Sequence, residues 1–173
     1  MNTRRRANGF TLLELMVALV VVSILLVVGL PMFSATVRQN CTVTTANTLL
    51  TVLTAARSEA LKRDRTVTLC PSSDGSQCAT AAGSTWELGY LMFLDGNSDQ
   101  RYAGVPSEPL LKVERPLSTC ARITKNGDRP YLRYNGLGRM LDAASFTVAS
   151  TSGARHERRV VISPTGRPRV ERP

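Results

Sequence analysis

An α+β fold, with a long N-terminal helix packed on a C-terminal antiparallel β-rich head, follows from three observations. Residues 10–30 are apolar apart from Thr11, Glu14, Ser23 and Gly29. Beyond them Ala46, Leu49, Leu50, Leu53, Ala56, Ala60 and Leu61 recur at helical spacing. After Asp64 the texture changes to short β-branched runs punctuated by Gly, Pro, Asn and Asp. A long helix followed by turn-linked strands is accommodated when the helix covers one face of an antiparallel sheet.

The apolar run of 10–30, at about 1.5 Å per residue, spans roughly 30 Å, the thickness of a bilayer core. Arg4, Arg5 and Arg6 precede it and favour a cytoplasmic N-terminus, so the rest of the chain is expected beyond the membrane. An ordinary secretory signal has a shorter apolar core followed by a small-residue cleavage site; here Gly9 precedes the run. Glu14 is a carboxylate inside the span, where such residues usually find a partner. The α-amino group that cleavage before Phe10 would create on a neighbouring subunit is the most available one.

Pro31 is predicted to kink the helix, because a mid-helix proline removes a hydrogen bond and crowds the preceding turn. Residues 31–64 continue it as an amphipathic segment whose apolar stripe faces the core. In the head, 65–173, strands are expected at 66–70, 87–94, 110–113, 131–134, 145–149 and 159–163. Trp86 reads as a core residue.

Four cysteines, Cys41, Cys70, Cys78 and Cys120, fall on the oxidising side of the membrane, where disulfides persist. Three pairings are possible. Cys70 and Cys78 enclose the turn-rich Pro71-Ser72-Ser73-Asp74-Gly75-Ser76-Gln77 and form the favoured bridge; the sequence does not fix the pairing of Cys41 and Cys120.

Gly9-Phe10-Thr11-Leu12-Leu13-Glu14 resembles the processing site of type IV pilins and type II secretion pseudopilins. The resemblance implies that a prepilin peptidase removes a leader, 1–9, by cutting after Gly9 and methylates the new N-terminal Phe10. It also implies that Glu14 serves assembly and that 10–30 spans the inner membrane in the precursor and later packs with other pilins in a filament core. Further along, Ala55-Ala56-Arg57-Ser58-Glu59-Ala60 leading into Val67-Thr68-Leu69-Cys70 is similar to the FimT/GspH group of minor pilins and pseudopilins. So is Trp86-Glu87-Leu88-Gly89-Tyr90-Leu91-Met92-Phe93-Leu94-Asp95. The fold implied is a long N-terminal helix carrying a β-rich head.

The formal charge of the chain is +9, and its distribution is uneven. Arg4, Arg5 and Arg6 leave with the leader, and charges nearly balance from Phe10 to Ala121. From Arg122 onward eleven basic residues face four acidic ones, and ten of the eleven are arginine, which forks onto phosphate better than lysine. Beyond the membrane such a face meets few polyanions: DNA, anionic lipid headgroups or acidic polysaccharide. Gly166-Arg167-Pro168-Arg169 resembles the Gly-Arg-x-Arg tail of FimT proteins that bind DNA in natural transformation. That resemblance implies a DNA site at Gly166, Arg167 and Arg169, with Arg155, Arg158 and Arg159 as a rim. Phosphate contacts of this kind are sequence-independent and salt-sensitive. In this last third, aromatic residues suited to stacking on single-stranded bases are scarce: Tyr131, Tyr134 and Phe146.

Neither metal nor cofactor is expected. Asp95-Gly96-Asn97-Ser98-Asp99 has the opening spacing of a calcium loop, but the sixth position is Gln100 and the twelfth is Pro106, so a hairpin turn is the preferred reading. The lone His156 and the cysteine spacing argue against zinc and against a Ser-His-Asp triad. No glycine-rich phosphate loop is present in the sequence, and the chain does not read as an enzyme.

Overall fold

A computed structural model describes residues 11–81, 85–151 and 157–172, with the side chains of residues 28–35 outside that set. Gly9, Phe10, Arg155 and the side chain of Pro31 therefore lie outside the described residues. The chain divides into two compact units, Met1–Val37 and Arg38–Pro173.

Helix α1 runs Leu12–Arg63. Thr11 starts it as the N-cap: its Oγ1 accepts from the Glu14 backbone N–H at 3.2 Å, and its carbonyl accepts from Leu15 N–H. The Ser23 hydroxyl, inside the apolar run, is satisfied by the Leu19 carbonyl at 2.7 Å. At the other end Asp64 turns left-handed (φ 48°) and Arg65 N–H closes back on the Ala60 carbonyl, which stops the helix.

In the first unit the large apolar side chains from Leu12 to Val27 are 50–78% exposed on every side of the helix. A helix apolar all round needs lipid or other protein around it. Among the described residues no helix is long and apolar enough to cross a membrane; the apolar run of the sequence continues into residues 28–30, whose side chains are outside the described set.

The second unit holds two four-stranded antiparallel sheets. One has the order β3-β2-β1-β5, built from β1 (Val67–Pro71), β2 (Tyr90–Leu94), β3 (Leu110–Glu114) and β5 (Leu132–Tyr134). The other has the order β4-β6-β7-β8, built from β4 (Ala121–Asn126), β6 (Ser145–Ser150), β7 (Glu157–Ile162) and β8 (Pro168–Glu171). Their inner faces and the α1 stripe Ala46, Leu49, Leu53, Ala56 and Ala60 form one core. Trp86 is fully buried in it and meets Phe146 edge-on at 5.1 Å between centroids. Strands β1 and β2 are buried on both faces. Val67, Leu69, Tyr90, Met92 and Leu94 join the main core. Cys70, Leu91 and Phe93, pointing the other way, form a second cluster with Cys78, Tyr102 and Tyr131.

Two expectations need correction. Strand β4 was not expected: its burial alternates cleanly, but the inward positions include Ala121 and Lys125, too weakly apolar to stand out. Strand β8 was not among the expected strands either; it opens on Pro168, and proline is tolerated as the first residue of an edge strand, where no ladder donor is needed.

Disulfides join Cys70 to Cys78 and Cys41 to Cys120. The first closes a loop in which the Asp74 carboxylate accepts from Ser76 and Gln77 N–H and from the Ser72 hydroxyl, all within 3.0 Å. Those bonds, the Ser76 N–H foremost, hold the Asp74 carboxyl well below the usual carboxylate range. The second ties α1 to the start of β4.

Burial raises the phenols of Tyr90 and Tyr134, and the Tyr90 hydroxyl also donates to Glu114 Oε2 at 3.0 Å. Groups with raised folded pKa values contribute stability that is complete below the unfolded value near 10 and is lost as pH climbs beyond it. Lys125, pushed down by burial, acts in the opposite sense but is a single group. Thermal unfolding between pH 8 and 11.5 is therefore expected to show a falling midpoint above pH 10, lessened in Tyr134→Phe; a flat profile would refute this.

Candidate nucleic-acid interface

Part of the basic last third is engaged in holding the head together. Asp142 receives Arg129 Nη1 at 2.8 Å and Arg133 Nε at 2.9 Å, and both guanidinium groups lie over the Tyr131 ring. Hydrogen bonding to Asp142 raises the Arg133 pKa further. Lys125 is buried and donates to the Arg129 carbonyl at 2.8 Å. Arg122 approaches Glu87 at 3.8 Å. Among the described residues, Arg139, Arg159, Arg167 and Arg172 are the basic side chains of this third that make no hydrogen bond or ion pair.

The β7–β8 hairpin then decides which arginines share a face. Val160 and Ile162 point into the core, so Arg159 and Val161 point out. Register places Arg159 opposite Glu171 and Val161 opposite Arg169. Arg159 and Arg169 therefore lie on the outward face, with exposed Arg167 where the turn enters β8. Arg167 and Arg169 are about 7 Å apart along the chain, two residues of extended backbone. Arg158 shares the inward parity of Val160, is half-buried, and bonds the Glu157 carbonyl, so it does not join that face. This corrects the expected rim: strand alternation separates Arg158 from Arg159. Arg169 is also paired with Glu171 at 2.7 Å, an exposed contact worth little and open to competition from phosphate.

The hairpin turn is held rigidly. Gly166 N–H donates to the Ser163 carbonyl at 2.8 Å, Ser163 N–H donates to the Arg167 carbonyl at 3.0 Å, and the Ser163 hydroxyl accepts from Arg167 N–H at 3.2 Å. Gly166 is buried with φ +80°, and a Cβ there would run into the Gly138 carbonyl. That carbonyl accepts from Arg57 Nε of α1 at 2.9 Å, while Gly138 itself (φ +67°) rests on the Leu61 side chain. Gly166 is thus a docking point for the turn, with its side facing the core rather than a ligand. Arg57 and Gly138, which position the turn, were not expected from sequence. Nothing local marks them, since their role exists only once helix, loop and hairpin meet.

Tyr134 and Phe146 are fully buried, so neither can stack on a base. At the opposite end of the chain, exposed Glu14 sits at the third position of the helix that Thr11 caps, where a negative charge suits the helix dipole. This local role exists beside any intersubunit one.

Residues 45–166 match the family described as type II transport protein GspH, and residues 4–30 match the prokaryotic N-terminal methylation motif. Pilin-like protein PilA1 of Thermus thermophilus is 33% identical over 175 residues, covering 98% of this chain and 99% of the relative. Two crystal forms of the Pseudomonas aeruginosa type IV minor pilin FimU superpose with TM-scores of 0.57 and 0.60 at 18% identity. They cover 75% and 77% of this chain and 91% and 90% of theirs. At that identity the likeness concerns the fold: a long helix packed on an antiparallel β-sheet head.

Proposed function

The chain belongs to the GspH family of minor type IV pilins and pseudopilins, structural proteins without catalytic activity, and from that premise we propose that its head binds duplex DNA through the outward face of the β7–β8 hairpin. The N-terminal methylation motif implies processing by a prepilin peptidase, an inner-membrane precursor and assembly with other pilins. What supports the finer reading is one juxtaposition: Arg159, Arg167 and Arg169 share an exposed face on a turn braced from behind by Gly166. Arginines held on a rigid element grip phosphates without reading bases, and the absence of accessible aromatics on that hairpin suits a duplex better than a single strand. Within the minor pilins this reading makes the protein most like the FimT group and assigns it to DNA uptake in natural transformation.

A second reading, a pseudopilin of a type II secretion apparatus with no nucleic-acid role, is supported by the description of the matched family. The two part on a binding measurement. Purified full-length protein in detergent, titrated with unrelated fluorescent duplexes at two salt concentrations, is expected to bind all of them and to weaken steeply with salt. Changing Arg167 and Arg169 together to Gln is expected to cut affinity at least tenfold and lower the salt slope by about 2. Unchanged affinity and slope in the double variant, or no binding by the parent protein, would overturn the DNA reading. The same two substitutions on the chromosome should abolish DNA uptake at normal protein level.

A further inference from the structure

The connection between β2 and β3, residues 95–109, contains more than a turn. The two strands do pair antiparallel, as a hairpin requires. Within the connection, carboxylate oxygens of Asp95, Asp99 and Glu108 all lie within 4.8 Å of one another. Asp95 and Glu108 are each only 2% exposed. Asp95 Oδ1 and Glu108 Oε2 are buried and have no hydrogen-bond partner. The other Asp95 oxygen accepts from the Thr68 hydroxyl of β1 at 2.8 Å. Buried carboxylate oxygens without partners are strongly disfavoured, and they call for a proton, a donor or a cation.

Arg133 acts on Asp95 electrostatically, but among the described residues no neighbouring arginine pairs directly with these carboxylates. Arg65 reaches the Ser107 carbonyl at 3.5 Å, and Arg133 is held by Asp142. Among the described residues neither makes an ion pair with Asp95 or Glu108. Asp99, exposed at the loop surface, accepts from Arg101 N–H at 2.9 Å and from the Asn97 amide at 3.0 Å, which leaves its carboxylate near the other two.

We propose that Asp95, Asp99 and Glu108 bind a calcium ion that fastens the 95–109 connection to β1. Three carboxylates with no sulfur or imidazole among them make a hard, oxygen-only donor set. Calcium accepts irregular geometry and draws its remaining ligands from carbonyls and water, whereas magnesium demands a near-ideal octahedron and keeps most of its own water. Two of these three carboxylates are out of solvent, which favours calcium. Counting from Asp95, Glu108 stands two positions beyond Pro106, so the twelve-residue spacing of the familiar calcium loop passes over it. Thr68 orients Asp95 from the sheet and is a positioning residue for the site.

Full-length protein in detergent, freed of metal with EGTA, is titrated with calcium chloride and separately with magnesium chloride by calorimetry, with thermal unfolding recorded on the same samples. One calcium per chain is expected, with a rise of several degrees in melting temperature at millimolar calcium and a much smaller response to magnesium. Asp99→Asn, at an exposed position, is expected to keep its fold and bind calcium at least tenfold more weakly. Glu108→Gln is expected to lose calcium binding and to melt in EGTA at or above the parent, since the crowded charge is relieved; a purely structural Glu108 would lower the melting temperature in EGTA as well. No calcium binding by the parent protein, or equal binding by Asp99→Asn, would overturn the proposal. Should Glu108→Gln not fold, Asp99→Asn decides the matter alone.

Discussion

Changing Cys41 and Cys120 together to Ser is expected to lower the stability of the head by about 4.5 kcal/mol on chain-entropy grounds. The bridge spans 79 residues of sequence, so its removal releases a large denatured-state constraint. The Cys70–Cys78 bridge spans only 8 and is expected to be worth about 2.5 kcal/mol on the same grounds. The longer bridge also has a topological role: it pins the helix to the start of β4, at the edge of the second sheet. Guanidinium unfolding of the two double variants should rank them in that order. Equal losses, or a greater loss for Cys70 with Cys78, would show that native-state packing rather than loop closure sets the effect.

The Gly166→Ala variant is expected to lose about 2–4 kcal/mol, from a left-handed backbone that alanine disfavours plus overpacking against a backbone carbonyl. The obstacle is the Gly138 carbonyl, itself held by Arg57, so it cannot swing aside as a flexible side chain would. The turn must move instead, carrying Arg167 and Arg169 with it. Arg167→Gln, in contrast, removes an exposed guanidinium with no partner among the described residues and is expected to change stability by less than about 0.5 kcal/mol. Denaturation curves of the two single variants thus separate what holds the hairpin from what it presents. A Gly166→Ala protein as stable as its parent would refute the docking role.

The Gly-Arg-Pro-Arg stretch shows how far residue order carries and where it stops. Its arginines are visible as a local pattern, and Arg167 and Arg169 do emerge on one exposed face. The role of Gly166 is different from the one its neighbours suggest. Turn chemistry explains a glycine there, yet its burial against Gly138 is a contact between residues 28 positions apart. The rim was only partly legible for a similar reason. Arg158 and Arg159 are adjacent in sequence, and adjacency in a strand means opposite faces. Arg129 and Arg133 look like members of the same basic patch until Asp142 is seen between them.

The calcium-like stretch shows the converse. Fixed spacing argued against a site because positions six and twelve were wrong. The fold instead brings Glu108 to Asp95 across a connection whose length no spacing rule anticipates.

By itself the sequence determined the parts that depend on local periodicity and on a contiguous motif. These are the apolar N-terminal helix with its Gly9–Phe10 junction, the amphipathic continuation, the α+β class, most strands, and the concentration of arginine in the last third. Only the tertiary structure decided which arginines are spent on internal ion pairs, which share the hairpin's outer face, and how Arg57, Gly138 and Gly166 brace it. The physical reason is that charge and propensity are properties of each residue and its near neighbours. Pairing, burial and face are set by strand register and by contacts between segments far apart in the chain.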